Sequence, residues 1–204
     1  MIVLPATPIR NNHLFTYYAD VHFSPEECAQ IRNTQDPAGW RDGDILVSGD
    51  DGKVGLKVDA GIRSVHQQKL RYDPTTGYPL NKILKLVCEA NSLRWHFDLT
   101  GLPVDDMPFA MRYTADRRDH YDWHPDIGEN STASRKLSFS LQLSDGGDYE
   151  GGDLEFAYQK HDGAPFRKRG TLIIFPSYWA HRVHPVTSGQ REVVVGWVHG
   201  PSYR

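Results

Sequence analysis

The chain is short of cysteine, has no surplus of basic residues and contains no long apolar run, and each shortage argues against a class of protein. Its two cysteines, Cys28 and Cys88, stand alone in separate segments. That pattern gives neither a disulfide framework nor a thiolate metal site, and it fits a reducing compartment. Lys and Arg number 23 against 26 Asp and Glu, leaving a formal charge of −3 over 204 residues. A polyanion binder ordinarily clusters cations in excess, so nucleic acid is not an expected partner. No stretch approaches the roughly 20 apolar residues of a membrane-spanning helix, so no membrane is expected either. The opening Met1-Ile2-Val3-Leu4-Pro5-Ala6 lacks the basic leader and the apolar length of a signal peptide. Together these absences lead to the expectation of a soluble, cytoplasmic protein. Repeats, low-complexity tracts and Pro/Ser-rich linkers are missing too, so one domain over 1–204 is expected.

What is present divides the chain by pattern. Ser24-Pro25-Glu26-Glu27 combines an N-cap serine, a proline at the first helical position and a Glu three residues after the cap, which predicts a helix over about 24–35. Leu80, Ile83, Leu84, Val87 and Asn91 form a second helical stripe reaching about Arg94. Between them, 45–47 and 54–58 flank Asp50-Asp51-Gly52 as a hairpin, with a short strand at 62–65. From Pro108 onward the pattern becomes short β-runs at 109–114, 120–124, 136–144, 153–157, 171–175, 181–186 and 191–199. Such a series suits a β-sandwich or a barrel-like jelly roll. In the third run Leu137, Phe139, Leu141 and Leu143 alternate with Lys136, Ser138, Ser140 and Gln142. If helices cover the oily face, the polar face lines an interior pocket; otherwise it is a solvated surface.

Three segments can carry chemistry. In Tyr121-Asp122-Trp123-His124-Pro125-Asp126 an imidazole and a carboxylate are separated by one residue at a strand end, where a turn lets both converge on one ion. His-x-Asp alone is a weak motif, because a surface His and Asp in a loop satisfy the same spacing. The apolar run 170–176 ends at Pro176, and His181 opens the next strand. His181 can complete a set of two histidines and one carboxylate, the facial arrangement that leaves positions open on iron(II). Arg191 shares a strand face with Val193, Val195 and Trp197. An Arg on such a face is costly unless it meets an anion or sits at the exposed strand end.

The order of these features resembles the prolyl-4-hydroxylase-like branch of the iron and 2-oxoglutarate oxygenases. The likeness runs from Tyr113 through His124-x-Asp126, Arg135-Lys136-Leu137-Ser138, Leu143-Ser144, Tyr149-Glu150-Gly151-Gly152-Asp153-Leu154, 170–176, His181, Pro185-Val186 and Gly189 to Arg191, with Gly61-Ile62-Arg63-Ser64 as a candidate extension upstream. It implies a mainly β fold with flanking helices: a double-stranded β-helix (jelly-roll) core over about 108–200, with helical and β support over about 1–107 and the N-terminal helices packed on the major sheet. It also implies Fe(II) with 2-oxoglutarate and O2 as cosubstrates. Carried over by position, His124, Asp126 and His181 resemble the iron ligands, and Arg191 resembles the partner of the distal carboxylate of 2-oxoglutarate. Tyr113 lies where the family often places a tyrosine beside cosubstrate or substrate. Gln142 takes a position where some relatives carry a cosubstrate-binding Tyr or Thr. Family members that halogenate have a small residue in place of the carboxylate, so Asp126 favours hydroxylation.

The expected activity is therefore hydroxylation of an unactivated C–H bond. Lacking an added peptide-binding domain, the chain is expected to act on an amino acid or related small molecule rather than on a peptidyl-prolyl or other protein side chain. A non-catalytic metal-binding jelly-roll sensor is the competing class. Among other candidates, His184, the Arg117-Arg118 pair, Gly151-Gly152, Trp123, Trp179 and Trp197 are read as surface, packing or turn residues, while His120 and His199 are less easily dismissed although nothing pairs them with a ligand set. The polar loop 128–134 is read as a segment able to close over substrate.

Overall fold

The computed structural model describes residues 14–48, 54–159 and 164–202. Helix α1 (Pro25–Asn33) starts on the capping box read from the sequence: Ser24 Oγ accepts the Glu27 N–H, and the Glu27 carboxylate accepts the Ser24 N–H at 2.8 Å. It buries Cys28 and Ile31. Helix α2 (Leu80–Leu93) buries Leu80, Ile83, Val87, Ala90 and Asn91 along one stripe. The Asn91 amide, polar on that stripe, is satisfied by donating to the Phe97 carbonyl and accepting the Phe97 N–H.

The strands are β1 (Tyr18–Val21), β2 (Arg41–Asp42), β3 (Ile45–Ser48), β4 (Val54–Lys57), β5 (Arg63–Ser64), β6 (His66–Lys69) and β7 (Phe109–Thr114) in the first part of the chain. There follow β8 (His120–His124), β9 (Arg135–Gln142), β10 (Tyr149–Gly151), β11 (Leu154–Phe156), β12 (Thr171–Pro176), β13 (His181–Val183) and β14 (Val186–His199), with a one-turn helix α3 (Ala164–Arg167) before β12. The larger sheet has the order β1-β12-β9-β14-β7-β6-β2, with β10 paired to β14; the smaller is β11-β13-β8-β5, and β3 and β4 form a separate hairpin. Every pairing is antiparallel.

This is the jelly roll with helices on the larger sheet. Leu137, Phe139, Leu141 and Leu143 of the β9 segment pack with Ile31 of α1 and Ile83 and Val87 of α2 in one buried cluster. Fully burying such a side chain contributes roughly 1.5–3 kcal/mol. The opposite face of the larger sheet meets the smaller sheet, where Met111, Tyr113, Ile173, Phe175 and Val193 pack with Leu154, Phe156 and Val183. Ser138, Ser140 and Gln142 point to that interior side and are buried, so the polar stripe of β9 faces inward rather than to solvent.

The differences from the sequence reading lie where hydrophobic period gives no signal. Strand β6 reads His-Gln-Gln-Lys, yet Gln67 and Gln68 are buried and the strand pairs along β7. Strand β14 is continuous through Thr187-Ser188-Gly189-Gln190, where an interruption is expected from polarity. Gly189 (φ +68°) allows this, since a Cβ there would stand 2.0 Å from the Asp148 carbonyl oxygen where β10 crosses. The short strands β1, β2 and β10 exist through pairing rather than pattern, and β13 stops at Val183. The hairpin turn expected at Asp50-Asp51-Gly52 lies outside the described residues. Among the described residues no helix is long and apolar enough to cross a membrane.

Candidate active site

Strand β8 ends on His124, Pro125 turns the chain, and Asp126 follows; His181 opens β13 directly opposite His124 in the antiparallel register. The sequence-distant donors are thus brought together by one strand pair and one turn. His124 Nε2 lies 3.7 Å from Asp126 Oδ1, and His181 Nε2 lies 3.5 Å from Asp126 Oδ2. One donor atom from each of the three residues falls within 4.8 Å of the others. Cis donors on an octahedral divalent ion at about 2.1 Å stand roughly 3 Å apart, so these side chains need only a small inward shift to share one.

The surroundings fix the form of each donor. His124 Nδ1 is 2.6 Å from the Asp122 carbonyl, and His181 Nδ1 is 2.9 Å from the Trp179 carbonyl. A carbonyl only accepts, so Nδ1 carries a proton on both rings and each ring turns Nε2 toward Asp126. Burial, aided by the neighbouring His181, pushes His124 down to about 3. Burial works to raise the Asp126 carboxyl, but His181, His124, the Ser138 hydroxyl and Arg135 outweigh it and hold Asp126 below its ordinary value. At neutral pH the set therefore holds a neutral imidazole at His124 and a carboxylate at Asp126, with the His181 ring beside them: two imidazoles and one carboxylate, a donor set suited to a divalent cation with open positions.

Asp126 is held from three sides. Its N–H donates to the Ser177 carbonyl at 2.8 Å, Ser138 Oγ donates to Oδ2 at 2.7 Å, and Arg135 donates to its carbonyl at 3.0 Å. Arg135 is itself clamped in a fork by Asp106, both contacts 2.8 Å, and Asp106 is shared with His199 at 2.8 Å. Only Ser138 follows from the sequence pattern, through the inward stripe of β9. Arg135 opens the same strand and stands in the motif order without a role, whereas Asp106 and His199 come from segments far apart in the chain and no spacing announces them.

The triad opens into a cavity of about 780 Å3 whose wall also includes Tyr113, Arg191, Tyr121, Arg63 and Trp197. Arg191 is paired opposite Tyr113 across β14 and β7, and is 3 % exposed. Its Nε donates to Gln142 Oε1 at 3.3 Å, its guanidinium lies 5.5 Å from the Tyr113 ring, and no carboxylate among the described residues pairs with it. The Tyr113 hydroxyl contacts Met111 Sδ at 3.7 Å. Gln142 is placed behind Arg191 and does not line the cavity: its Nε2 contacts the Ser144 carbonyl and the Tyr149 hydroxyl, and its Oε1 takes the Arg191 contact. The amide oxygen thus orients Arg191.

The comparisons with known proteins bear on this arrangement. The family model of the 2OG-Fe(II) oxygenase superfamily matches residues 108–199. A PKHD-type hydroxylase of Azoarcus sp. (strain BH72) is 30% identical over 174 residues, covering 82% of this chain and 70% of that protein. The chain belongs to the 2OG-Fe(II) oxygenase superfamily. A PKHD-type hydroxylase of Synechococcus sp. (strain CC9902) is 42% identical over 80 residues, 39% of this chain and 36% of that protein, so this match spans little more than a third of the relative's length. A prolyl-4-hydroxylase of Pseudomonas putida superposes with a TM-score of 0.65 at 20% identity, over 91% of this chain and 92% of that one. The prolyl hydroxylase of Trichoplax adhaerens, solved with a hypoxia inducible factor peptide, gives 0.66 at 16% identity, over 90% and 83%. Both share the fold with this chain, and the family is the one expected from the motif order.

The remaining candidates of the sequence resolve into packing, wall and surface contacts. His184 meets Glu155 at 2.6 Å, away from His181, and Arg117 pairs with Asp42 at 2.6 Å. His120 contacts the Arg118 and Gly61 carbonyls. Gly151 and Gly152 turn the chain between β10 and β11 with positive φ. Trp179 is buried and donates to the Ala157 carbonyl, Trp123 is exposed, and Trp197 reaches the cavity wall beneath Arg135. From the loop 128–134, Gly128, Ser131 and Thr132 border the cavity.

Proposed function

We propose that this chain hydroxylates an unactivated C–H bond using Fe(II), 2-oxoglutarate and O2, with the metal held by His124, Asp126 and His181 and the distal carboxylate of 2-oxoglutarate held by Arg191. The observation that carries this reading is the coexistence, in one cavity, of the converging His-Asp-His donors and a buried guanidinium without a carboxylate partner. A metal-binding sensor needs the first feature and gives no reason for the second. Bound iron would couple oxidative decarboxylation of 2-oxoglutarate, to succinate and carbon dioxide, to delivery of one oxygen atom to substrate.

The chain's own residues bind, orient and exclude water. Arg191 offers a planar fork in a site of low dielectric, where pairing with a carboxylate offsets the cost of burying the cation. Gln142 holds Nε, which fixes the fork and leaves the outer nitrogens for the ligand. Ser138 donates to Asp126 Oδ2, the oxygen beside His181, and so fixes the carboxylate with Oδ1 beside His124. Tyr113, beside the Arg191 fork, completes the wall that a 2-oxo acid would touch.

For substrate, the reading is an amino acid or related small molecule. A peptide substrate is the second reading, favoured by the exposed apolar side chains Leu56 and Ile62 on the cavity border. A screen of free amino acids, their derivatives and proline-containing peptides, scored by succinate release and a mass gain of one oxygen, separates the two. Turnover confined to peptides would overturn the small-molecule reading.

A further inference from the structure

We propose that Arg63 is a second anion-binding position in this cavity, and that the substrate places a carboxylate there. The inference rests on the iron and 2-oxoglutarate reading of the site. It starts from a census of cations on the cavity wall. Arg41 is paired with Asp44 at 2.9 Å, and Arg135 with Asp106 at 2.8 Å. Lys69 is an exposed residue, and Arg191 is assigned to 2-oxoglutarate. Arg63 is the cation left over: it is 8 % exposed and, among the described residues, no carboxylate pairs with it.

The partners Arg63 does have are neutral. One outer nitrogen donates to the Asp44 backbone carbonyl, and the other to Gln67 Oε1 at 2.8 Å, with Met111 Sδ at 3.6 Å. Its Nε has no partner. The Asp44 carboxylate is engaged elsewhere, accepting from Arg41 on one oxygen and from Gln67 on the other at 3.2 Å. A buried guanidinium met only by neutral groups is electrostatically incomplete, and an incoming anion relieves that cost.

Arg63 and Arg191 enter the cavity from different sheets. Arg63 stands on β5 of the smaller sheet, its tip reaching Gln67 and Met111, whereas Arg191 stands on β14 of the larger one. Its guanidinium lies 4.8 Å from the Tyr121 ring, and that ring is stacked 3.4 Å from the His124 ring. An anionic group at Arg63 is therefore anchored one aromatic ring away from a metal donor, near enough to orient a small substrate over the metal. A single guanidinium with some donors already engaged matches a monoanion in charge, which favours a carboxylate over a phosphate dianion.

The test uses the wild-type protein loaded anaerobically with Fe(II) and saturating 2-oxoglutarate, titrated with N-acetyl amino acids and the corresponding amides. The readouts are the thermal midpoint and the visible band of the chelated keto acid. At least one acid should raise the midpoint saturably while its amide does not. Arg63→Gln should weaken that acid at least tenfold, and Arg63→Lys, which keeps the charge, should retain part of the response. If acid and amide act alike, if no acid binds, or if Arg63→Gln binds the acid as the wild type does, the assignment is overturned. Absence of the band in the wild type would instead overturn the iron reading, and this inference with it.

Discussion

Replacing His124, Asp126 or His181 with alanine is expected to take succinate formation to background, a loss of at least about a thousandfold for any one of the three. Each residue supplies one of the protein's three donors, and substitutions merely behind such donors already cost about 10–100-fold. The expectation is specific because the fold does not depend on these side chains in the same way. Burial opposes charging His124, and with either histidine removed the Asp126 carboxylate keeps the other one, the Ser138 hydroxyl and Arg135 as partners. Alanine at His124 or His181 should therefore leave the thermal midpoint of the metal-free protein near its wild-type value while metal binding disappears. A variant with full turnover would remove that residue from the donor set.

Arg191→Ala should raise the half-saturating concentration of 2-oxoglutarate by roughly thirty- to several-thousandfold. Removing one partner of a buried, hydrogen-bonded charge pair costs about 2–5 kcal/mol. At saturating 2-oxoglutarate the turnover number should fall much less, because the lost contact holds a part of the cosubstrate remote from the reacting centre. Stability should behave differently. In the ligand-free protein Arg191 is buried with Gln142 as its polar partner among the described residues, so its removal relieves an uncompensated charge and leaves a single amide oxygen to be satisfied. An unchanged dependence on 2-oxoglutarate would detach Arg191 from the cosubstrate.

Much of this site was legible in order along the chain. The capping box of α1, the stripe of α2 and the alternation of β9 rest on local periodicity, which the packed protein retains. The donor set was legible for a related reason: His124 and Asp126 are sequence neighbours, and His181 is announced by the apolar strand and aromatic turn before it. Arg63 was not legible, because its meaning is the lack of a carboxylate around it, and that depends on Asp44 and Gln67 approaching from other segments. Gln142 was placed on the correct face, but only the structure shows that its amide is taken up by Arg191, Ser144 and Tyr149. Strand β6 shows the limit of pattern reading, since its buried glutamines carry no hydrophobic period and are stabilised by side-chain contacts such as that of Gln68 with the Asp36 backbone.

The most direct measurement is an anaerobic titration of the metal-free protein with Fe(II) and then 2-oxoglutarate, followed by visible absorbance. One iron per chain and a weak charge-transfer band that appears only with both components, and is lost in His124→Ala, is the expected result. Failure to bind iron stoichiometrically, or a band that persists in His124→Ala, would contradict the assignment of this cavity as an iron and 2-oxoglutarate centre.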